Sequence, residues 1–260
     1  MSFNDAQKRA IEHVDGPMMV LAGPGSGKTT VITHRVKFLI ETAGVVPSGI
    51  LVVTFTKAAA SEMKNRFLKL TGQKSAPVSF GTFHAVFFTI LKHAYGFTAA
   101  SVLTPEKRRE IFDNLAERYQ LEVDDEAEFM ESMASEISLI KSEMISPDTY
   151  YSVTCAADIF RKFFESYQRC LRQQRLLDFG DMMLYTYRLF KERPDILKAW
   201  QNKFKYILVD EFQDVSRLQY EIVRMLAAPE DNLFIVGDDD QSIYHFRGAR
   251  PEIMLNFPKD

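Results

Sequence analysis

Four short apolar runs constrain the fold of this chain more than any other feature. Each run stops abruptly at polar or glycine-rich residues, and they are MMVLAG from Met18, ILVVTFT from Ile50, YILVDE from Tyr206 and LFIVGD from Leu233. An unbroken apolar run, without alternation of polar and apolar positions, is typical of a parallel strand that is covered on both faces. The runs therefore predict an α/β fold with a parallel sheet flanked by helices. A shorter run, PVSFGTFH from Pro77, is a candidate fifth strand.

The middle of the chain has a different composition. Residues 91–177 contain few clusters of Val or Ile and little glycine, and long stretches such as residues 158–177 have helical spacing. We therefore predict two parts: an α/β domain formed by residues 1–90 and 178–260, and an all-helical insertion formed by residues 91–177. The sheet would then be built from both ends of the chain.

Bulk composition narrows the functional classes. With 46% hydrophobic residues in 260, the chain can bury a substantial core. A net charge of −3 argues against a uniformly basic nucleic-acid coat, although a local basic face is compatible with it. Cys155 and Cys170 have no His or Cys at ligand spacing, which favours free thiols over a zinc site or a disulfide scaffold. The polar N-terminus and the absence of a run of about eighteen apolar residues predict a cytoplasmic protein without a membrane partner.

The segment LAGPGSGKTT, residues 21–30, is the strongest indication of a binding site. A strand that ends in a glycine-rich turn and opens a helix directs several backbone N–H groups at one point, and the positive end of the helix adds to their attraction for a polyphosphate. In such a loop Lys28 reaches the β- and γ-phosphates and Thr29 holds Mg²⁺. A plain glycine-rich turn is the alternative. The predicted cofactors are ATP and Mg²⁺, and the predicted cofactor-binding residues of the loop are Ala22, Gly23, Pro24, Gly25, Ser26, Gly27, Lys28, Thr29 and Thr30, with Ala22 where the usual pattern has glycine.

Two carboxylates at the end of another strand would complete this site. Asp210 follows the apolar residues 207–209, and the carboxyl ends of parallel strands share one edge of the sheet. Asp210 is therefore expected to order Mg²⁺, directly or through water. Glu211 is placed to accept a proton from the water that attacks the γ-phosphate. The alternative is that both residues merely begin a polar loop.

These segments, in this order, resemble the N-terminal part of a UvrD/Rep-like superfamily 1A DNA helicase. FNDAQKRAI from Phe3 is similar to the family's Q motif, which implies that Gln7 reads the adenine edge. The resemblance implies a RecA-like P-loop NTPase domain, called 1A, with a helical subdomain, called 1B, to which IKSEMISPDTYY is similar. The other matching segments are VVTFTKAAASEMKNR (motif Ia), GTFHAVFFTIL (motif Ib), LDFGDMM (motif Id), ILVDEFQD (motif II) and IVGDDDQSIYHFRGA (motif III).

The last of these segments carries both acids and aromatic residues. The resemblance implies that Gln241 contacts the γ-phosphate while the residues after it line a single-strand channel, where aromatic faces stack on any base. His245 and Phe246 replace the family's usual Gly and Trp. The alternatives are a metal site at the three consecutive aspartates from Asp238 and ordinary core packing of the aromatics. The implied DNA contacts are Thr54, Phe55, Thr82, His84, Tyr244, Phe246 and Arg247, and the residues expected to act in catalysis are Lys28, Glu211 and Gln241.

The resemblance implies an ATP-dependent translocase or helicase that moves 3′ to 5′ on single-stranded or partly duplex DNA, in repair or recombination. Two alternatives remain open: an ATP-binding interaction module without motor activity, and the motor part of a helicase–nuclease. Motifs IV to VI, which belong to the family's second RecA-like domain, have no counterpart before Asp260. We therefore expect a C-terminal helicase domain outside this chain, and very weak ATP turnover by the 260 residues alone.

Overall fold

The sheet of this protein is parallel throughout. The computed structural model describes residues 3–121, 125–238 and 257. Within these residues the strands lie in the order β1-β5-β4-β2-β3. All five apolar runs form strands, so the predicted α/β class is confirmed. The strands are β1 (Met18–Leu21), β2 (Ile50–Thr54), β3 (Ser79–Thr82), β4 (Tyr206–Val209) and β5 (Leu233–Gly237).

Ten α-helices occur in the same described residues. Seven begin after a side chain that accepts a hydrogen bond from the first turn, as Ser, Thr, Asp and Asn do at N-caps; these caps are Asn4, Thr56, Thr82, Thr104, Asp125, Asp178 and Ser216. The helices are α1 (Asp5–Glu12), α2 (Lys28–Glu41), α3 (Lys57–Thr71), α4 (Phe83–Tyr95), α5 (Pro105–Arg118), α6 (Glu126–Ser142), α7 (Ala157–Gln174), α8 (Phe179–Glu192), α9 (Pro194–Lys203) and α10 (Arg217–Ala227).

Both faces of the sheet are covered by helices. In β2, Ile50 and Val52 face a core shared with α1, α2 and α3, while Leu51 and Val53 face a core shared with α4, α8, α9 and α10. Every residue of β2 is buried. Burial on both faces is the reason that the apolar runs show no alternation with polar residues.

The two ends of the chain interleave in the sheet. Strands β4 and β5, which follow the helical segment, lie between β1 and β2. Val20 pairs with Val236 and Ile50 with Tyr206, and the Ala22 amide extends the first pairing by donating to the Gly237 carbonyl at 2.9 Å. Because the strands are parallel, β1, β4 and β5 end at the same edge of the sheet.

Helices α5, α6 and α7 pack around a core of their own, which includes Phe112, Met133 and Phe163. The chain enters and leaves this helical part side by side, since the Leu103 amide donates to the Leu177 carbonyl at 2.9 Å and the Leu177 amide donates to the Ser101 carbonyl at 2.7 Å. Helix α4 runs across residue 91, which we predicted as a domain boundary, and Leu91 is fully buried in the core beside the sheet. The division into domains stays a prediction.

Two further features concern cysteines and membranes. Cys155 and Cys170 are partly buried free thiols. Across the described parts of the chain, no helix combines the length and the apolar character that crossing a bilayer demands.

Candidate functional site

The loop between β1 and α2 has the backbone conformation of a phosphate cradle. Gly25 and Gly27 have φ values of +71° and +87°, in the left-handed region that favours glycine. Gly27 is the N-cap of α2 and has no side chain that could occupy the first N–H groups of the helix. An anion at this position would meet those N–H groups and the positive end of the helix.

Lys28, the first residue of α2, is joined to Glu211. Its Nζ lies 2.9 Å from Glu211 Oε2, across a separation of 183 positions in the sequence. The Lys28 side chain is only 12% exposed, so the pair is shielded on the lysine side. Thr29, Asp210 and Glu211 line one cleft. The structure thus brings together four residues that we selected from two distant segments.

Asp210 is buried, and its Oδ1 has no hydrogen-bond partner among the residues that the structure describes. Burial, together with the charge of neighbouring Glu211, raises the pKa of Asp210 to about 6. A divalent cation beside Oδ1 would offset both effects. Mg²⁺ is commonly held by one or two carboxylates, waters and substrate phosphates, and the Thr29 hydroxyl is an oxygen donor in the same cleft. The residues present fit Mg²⁺.

Glu211 itself has an unusual backbone. Its φ of 50° and ψ of 46° place it in the left-handed region, which costs a residue other than glycine about 1–3 kcal/mol. Its carboxylate also influences Asp214, whose pKa rises to about 6 through burial and the Glu211 charge. Three acids and Lys28 therefore share one small region at the carboxyl edge of the sheet.

Gln213 is a neighbour of Glu211 that the sequence motifs did not single out. Its buried amide donates from Nε2 to Glu211 Oε2 at 2.9 Å, and its Oε1 accepts from the Asp238 amide at 3.0 Å. The segment ILVDEFQD contains this glutamine, but a glutamine in a polar loop gives no sign of which strand it will contact.

Gln7 lies beside the glycine-rich loop between β1 and α2. Its Nε2 donates to the Ser26 carbonyl at 3.1 Å, and its Oε1 accepts from the Asn4 amide at 3.1 Å as part of a capping box. Arg35 of α2 fixes the end of α1 by donating to the carbonyls of Ala10, His13 and Val14. The role of Gln7 in reading adenine stays a prediction, but its position next to the loop is compatible with it.

The cleft extends from the acids to an aromatic wall. It encloses about 1490 Å³, and its lining continues to Thr54, Phe55, His84 and Phe179, with α5 and α6 on the opposite side. The ring of Phe179 is 4.7 Å from that of His84, and Phe179 is 60% exposed. Burial lowers the pKa of His84, which disfavours the charged imidazolium. Phe179 was missed from the sequence, although it lies within the segment LDFGDMM.

Two of the predicted DNA contacts have local structural roles. Thr54 is buried and its hydroxyl donates to the Thr56 carbonyl at 3.0 Å. Thr82 caps α4, because its hydroxyl accepts from the Ala85 amide at 3.2 Å. Their contacts with DNA stay predictions.

Comparison with protein families shows which family this chain belongs to. Residues 3–260 match the model described as the UvrD/REP helicase N-terminal domain. The chain belongs to this family. The resemblance that the motifs indicated is thereby confirmed.

Relatives of this UvrD/REP family chain are considerably longer than the chain itself. YjcD of Bacillus subtilis (strain 168) is 39% identical over 265 residues, which cover 100% of the chain and 35% of YjcD. The ATP-dependent DNA helicase PcrA of Staphylococcus aureus (strain Mu50 / ATCC 700699) is 36% identical over 268 residues, which cover 99% of the chain and 36% of PcrA. The chain thus spans just over a third of each of these relatives.

Part of the predicted site lies outside the described residues. The residues concerned belong to the segment after β5, and their roles in contacting phosphate or DNA stay predictions. They are Gln241, Tyr244, Phe246 and Arg247, together with Asp239 and Asp240 of the alternative metal site.

Proposed function

We propose that this chain is the ATP-binding part of an ATP-dependent translocase or helicase that moves 3′ to 5′ on single-stranded or partly duplex DNA. The observation that carries the proposal is the 2.9 Å contact between Lys28 and Glu211 in a cleft shared with Asp210. It supports one site that contains a phosphate-binding lysine, a cation-binding acid and a general base. The name of PcrA, a related ATP-dependent DNA helicase, agrees with the proposal.

Each residue has a defined task in the proposed reaction. The backbone around Gly27 and the Lys28 ammonium bind the triphosphate, and Thr29 and Asp210 would hold Mg²⁺. When bound, the cation would neutralise charge that develops on the phosphates. Glu211 accepts a proton from the attacking water, which commonly contributes about 10²–10⁴ in rate.

The pairing of Lys28 with Glu211 couples binding to catalysis. A γ-phosphate at the loop competes with Glu211 for the same ammonium, because both are anions within reach of one lysine. When Lys28 turns to phosphate, the Glu211 carboxylate is released from its ionic partner and is free to contact the attacking water. Nucleotide binding would therefore activate the base.

The aromatic wall supports a polynucleotide as the second ligand. Phe55, His84 and Phe179 line the cleft, Phe179 is 60% exposed, and stacking of bases on aromatic rings is independent of sequence. This property is what a translocase needs, since it must accept every base that it passes. A non-motor ATP-binding module has no need of exposed rings beside its nucleotide site. Polarity and a role in repair or recombination rest on the resemblance to the family.

The decisive experiment measures ATP hydrolysis by the complete natural polypeptide with and without single-stranded DNA. We expect many-fold stimulation, with Lys28→Ala as the control that loses hydrolysis under both conditions. Hydrolysis that is insensitive to DNA would contradict a motor function. Displacement of streptavidin from strands biotinylated at either the 3′ or the 5′ end then reports the direction of movement.

A further inference from the structure

The side chain of Gln213 connects the carboxyl ends of two neighbouring strands. It belongs to the 3₁₀ turn Phe212–Asp214 and is 3% exposed. Its Nε2 donates to Glu211 Oε2 at 2.9 Å, and its Oε1 accepts from the Asp238 amide at 3.0 Å. Asp238 is the first residue after β5, and Glu211 is the second residue after β4. One buried amide therefore joins the carboxyl ends of two adjacent strands.

The partners of this amide determine its orientation. A carboxylate oxygen can only accept a hydrogen bond from the amide, and a backbone N–H can only donate one. Rotating the amide by 180° would place oxygen against oxygen at Glu211 and nitrogen against nitrogen at Asp238, so both contacts would be lost. Few substitutions can keep both hydrogen bonds.

The Glu211 carboxylate needs a hydrogen-bond donor that holds it in place. Its Oε2 accepts from Lys28 and from Gln213, each at 2.9 Å. In the proposed function Lys28 turns to phosphate, whereas Gln213 has no phosphate to bind and remains with the carboxylate. The left-handed backbone of Glu211 also needs contacts that hold it, because that conformation is unfavourable for residues other than glycine.

We propose that Gln213 is a positioning residue, which holds the Glu211 carboxylate against the carboxyl end of β5. This inference rests on the proposed function, since it assigns a positioning residue to the base of the same hydrolytic site.

The first test replaces Gln213 by Met in the complete natural polypeptide. Methionine has a similar length and makes neither hydrogen bond. We expect kcat of ATP hydrolysis in saturating single-stranded DNA to fall about tenfold to a hundredfold, as misplacement of a catalytic group does. KM for ATP should change by less than about twofold, because substrate binding does not involve the amide.

A double-mutant cycle distinguishes positioning from a purely structural effect. If Gln213 acts through Glu211, then Gln213→Met changes the residual turnover of the Glu211→Gln variant by less than about twofold, because effects on one functional unit are not additive. Gln201→Met is the matched control. Gln201 is a partly buried glutamine whose Nε2 donates to the Met225 carbonyl at 2.8 Å, and it lies outside the lining of the cleft. Its replacement should leave kcat within about twofold of the native value.

Each outcome has a defined meaning. An unchanged kcat in the Gln213→Met variant, or an equal loss with and without the Glu211 carboxylate, would overturn the inference while the proposed function stands. Absence of DNA stimulation in the native polypeptide would remove the proposed function and this inference with it. If the Met variant folds poorly, Gln213→Asn serves instead, because it keeps an uncharged amide in the buried site but is one methylene group too short to reach both partners.

Discussion

At the scale of single residues, the chemistry of the site depends on which anion Lys28 binds. Its Nζ is 2.9 Å from Glu211 Oε2, and the lysine is largely shielded from solvent. The Glu211 side chain is 41% exposed, so water screens the ion pair on the carboxylate side only. Glu211 is therefore a competitor for the cation that a phosphate requires. The same contact leads to a prediction about Glu211 variants.

Replacing Glu211 by Gln in the complete polypeptide should separate binding from turnover. Removing the carboxylate frees Lys28 for phosphate, so ATP affinity is expected to stay equal or increase. Turnover should fall by about 10²–10⁴, the usual contribution of a general base, and translocation should stop while DNA binding is retained. Equilibrium binding of a fluorescent ATP analogue, steady-state hydrolysis and strand displacement measure these properties. Unchanged DNA-stimulated turnover would remove Glu211 as the base.

At the scale of elements, a buried ionic cluster attaches the helical part to the sheet part. Lys141 of α6 lies 2.5 Å from Asp178 Oδ2 and 2.8 Å from Asp181 Oδ1, and its side chain is 1% exposed. The hydroxyl of Tyr167 in α7 donates to Asp178 at 2.9 Å. Asp178 also caps α8, so one carboxylate connects three helices. Breaking a buried pair of this kind commonly costs about 3–5 kcal/mol, because a charge remains without its partner.

The ionic cluster leaves no room for a side chain at position 180, which is a glycine. A Cβ at this position would lie 2.6 Å from Lys141 Cδ, closer than such atoms approach, and 3.1 Å from Lys141 Cβ. We expect Gly180→Ala to lower the free energy of unfolding by about 1–3 kcal/mol, the usual cost of overpacking. Gly49→Ala is the control, because its added Cβ would meet no atom closer than the Lys203 carbonyl oxygen at 3.7 Å. Urea denaturation of both variants measures their free energies of unfolding. Equal values for the two variants would show that the cluster can accommodate the methyl group.

Asp181 should make stability depend on pH. Burial and the charge of Asp178 raise its pKa to about 6 in the folded protein, with Lys141 offsetting part of the effect, while an unfolded aspartate has a pKa of about 3.9. The folded state thus holds the proton more tightly, and stability contributed by this group falls as pH rises from about 4 to about 6. The free energy of unfolding of the native chain, relative to Asp181→Asn, should fall across this interval. Parallel pH profiles of the two proteins would contradict this assignment.

At the scale of the whole molecule, the candidate site occupies one cleft. The residues proposed to bind nucleotide lie at the carboxyl edge of the sheet, and Phe55, His84 and Phe179 continue the lining toward α4 and α8. The chain covers 36% of PcrA, and motifs IV to VI have no counterpart in it. In the family, the second RecA-like domain supplies arginines, and such groups can be worth about 10³–10⁵ in rate.

The 260 residues alone are therefore expected to bind ATP and Mg²⁺ but to hydrolyse ATP very weakly and to separate no strands. Purified protein of this length should show a saturable ATP-binding signal that Lys28→Ala abolishes. That signal is also the evidence that the protein tested is folded. Robust strand separation by the same preparation would refute the prediction.

The sequence by itself determined the strands and the position of the glycine-rich loop that follows β1. Unbroken apolar runs such as ILVVTFT predicted the parallel strands, because burial on both faces excludes polar residues from them. The positions of Lys28, Asp210 and Glu211 after such runs predicted one shared edge, since parallel strands end on the same side. These are consequences of local pattern and of a general rule of topology.

Only the tertiary structure decided which side chains from distant parts of the sequence contact one another. Gln213 and Asp238 are 25 positions apart, and Lys141 and Asp181 are 40 apart. Helical periodicity identifies an apolar face but carries no information about which other face covers it. A buried lysine and an exposed lysine therefore look the same in the sequence. The support of Glu211, the ionic cluster and the contact of Phe179 with His84 became visible only when packing placed distant residues within hydrogen-bond or van der Waals distance.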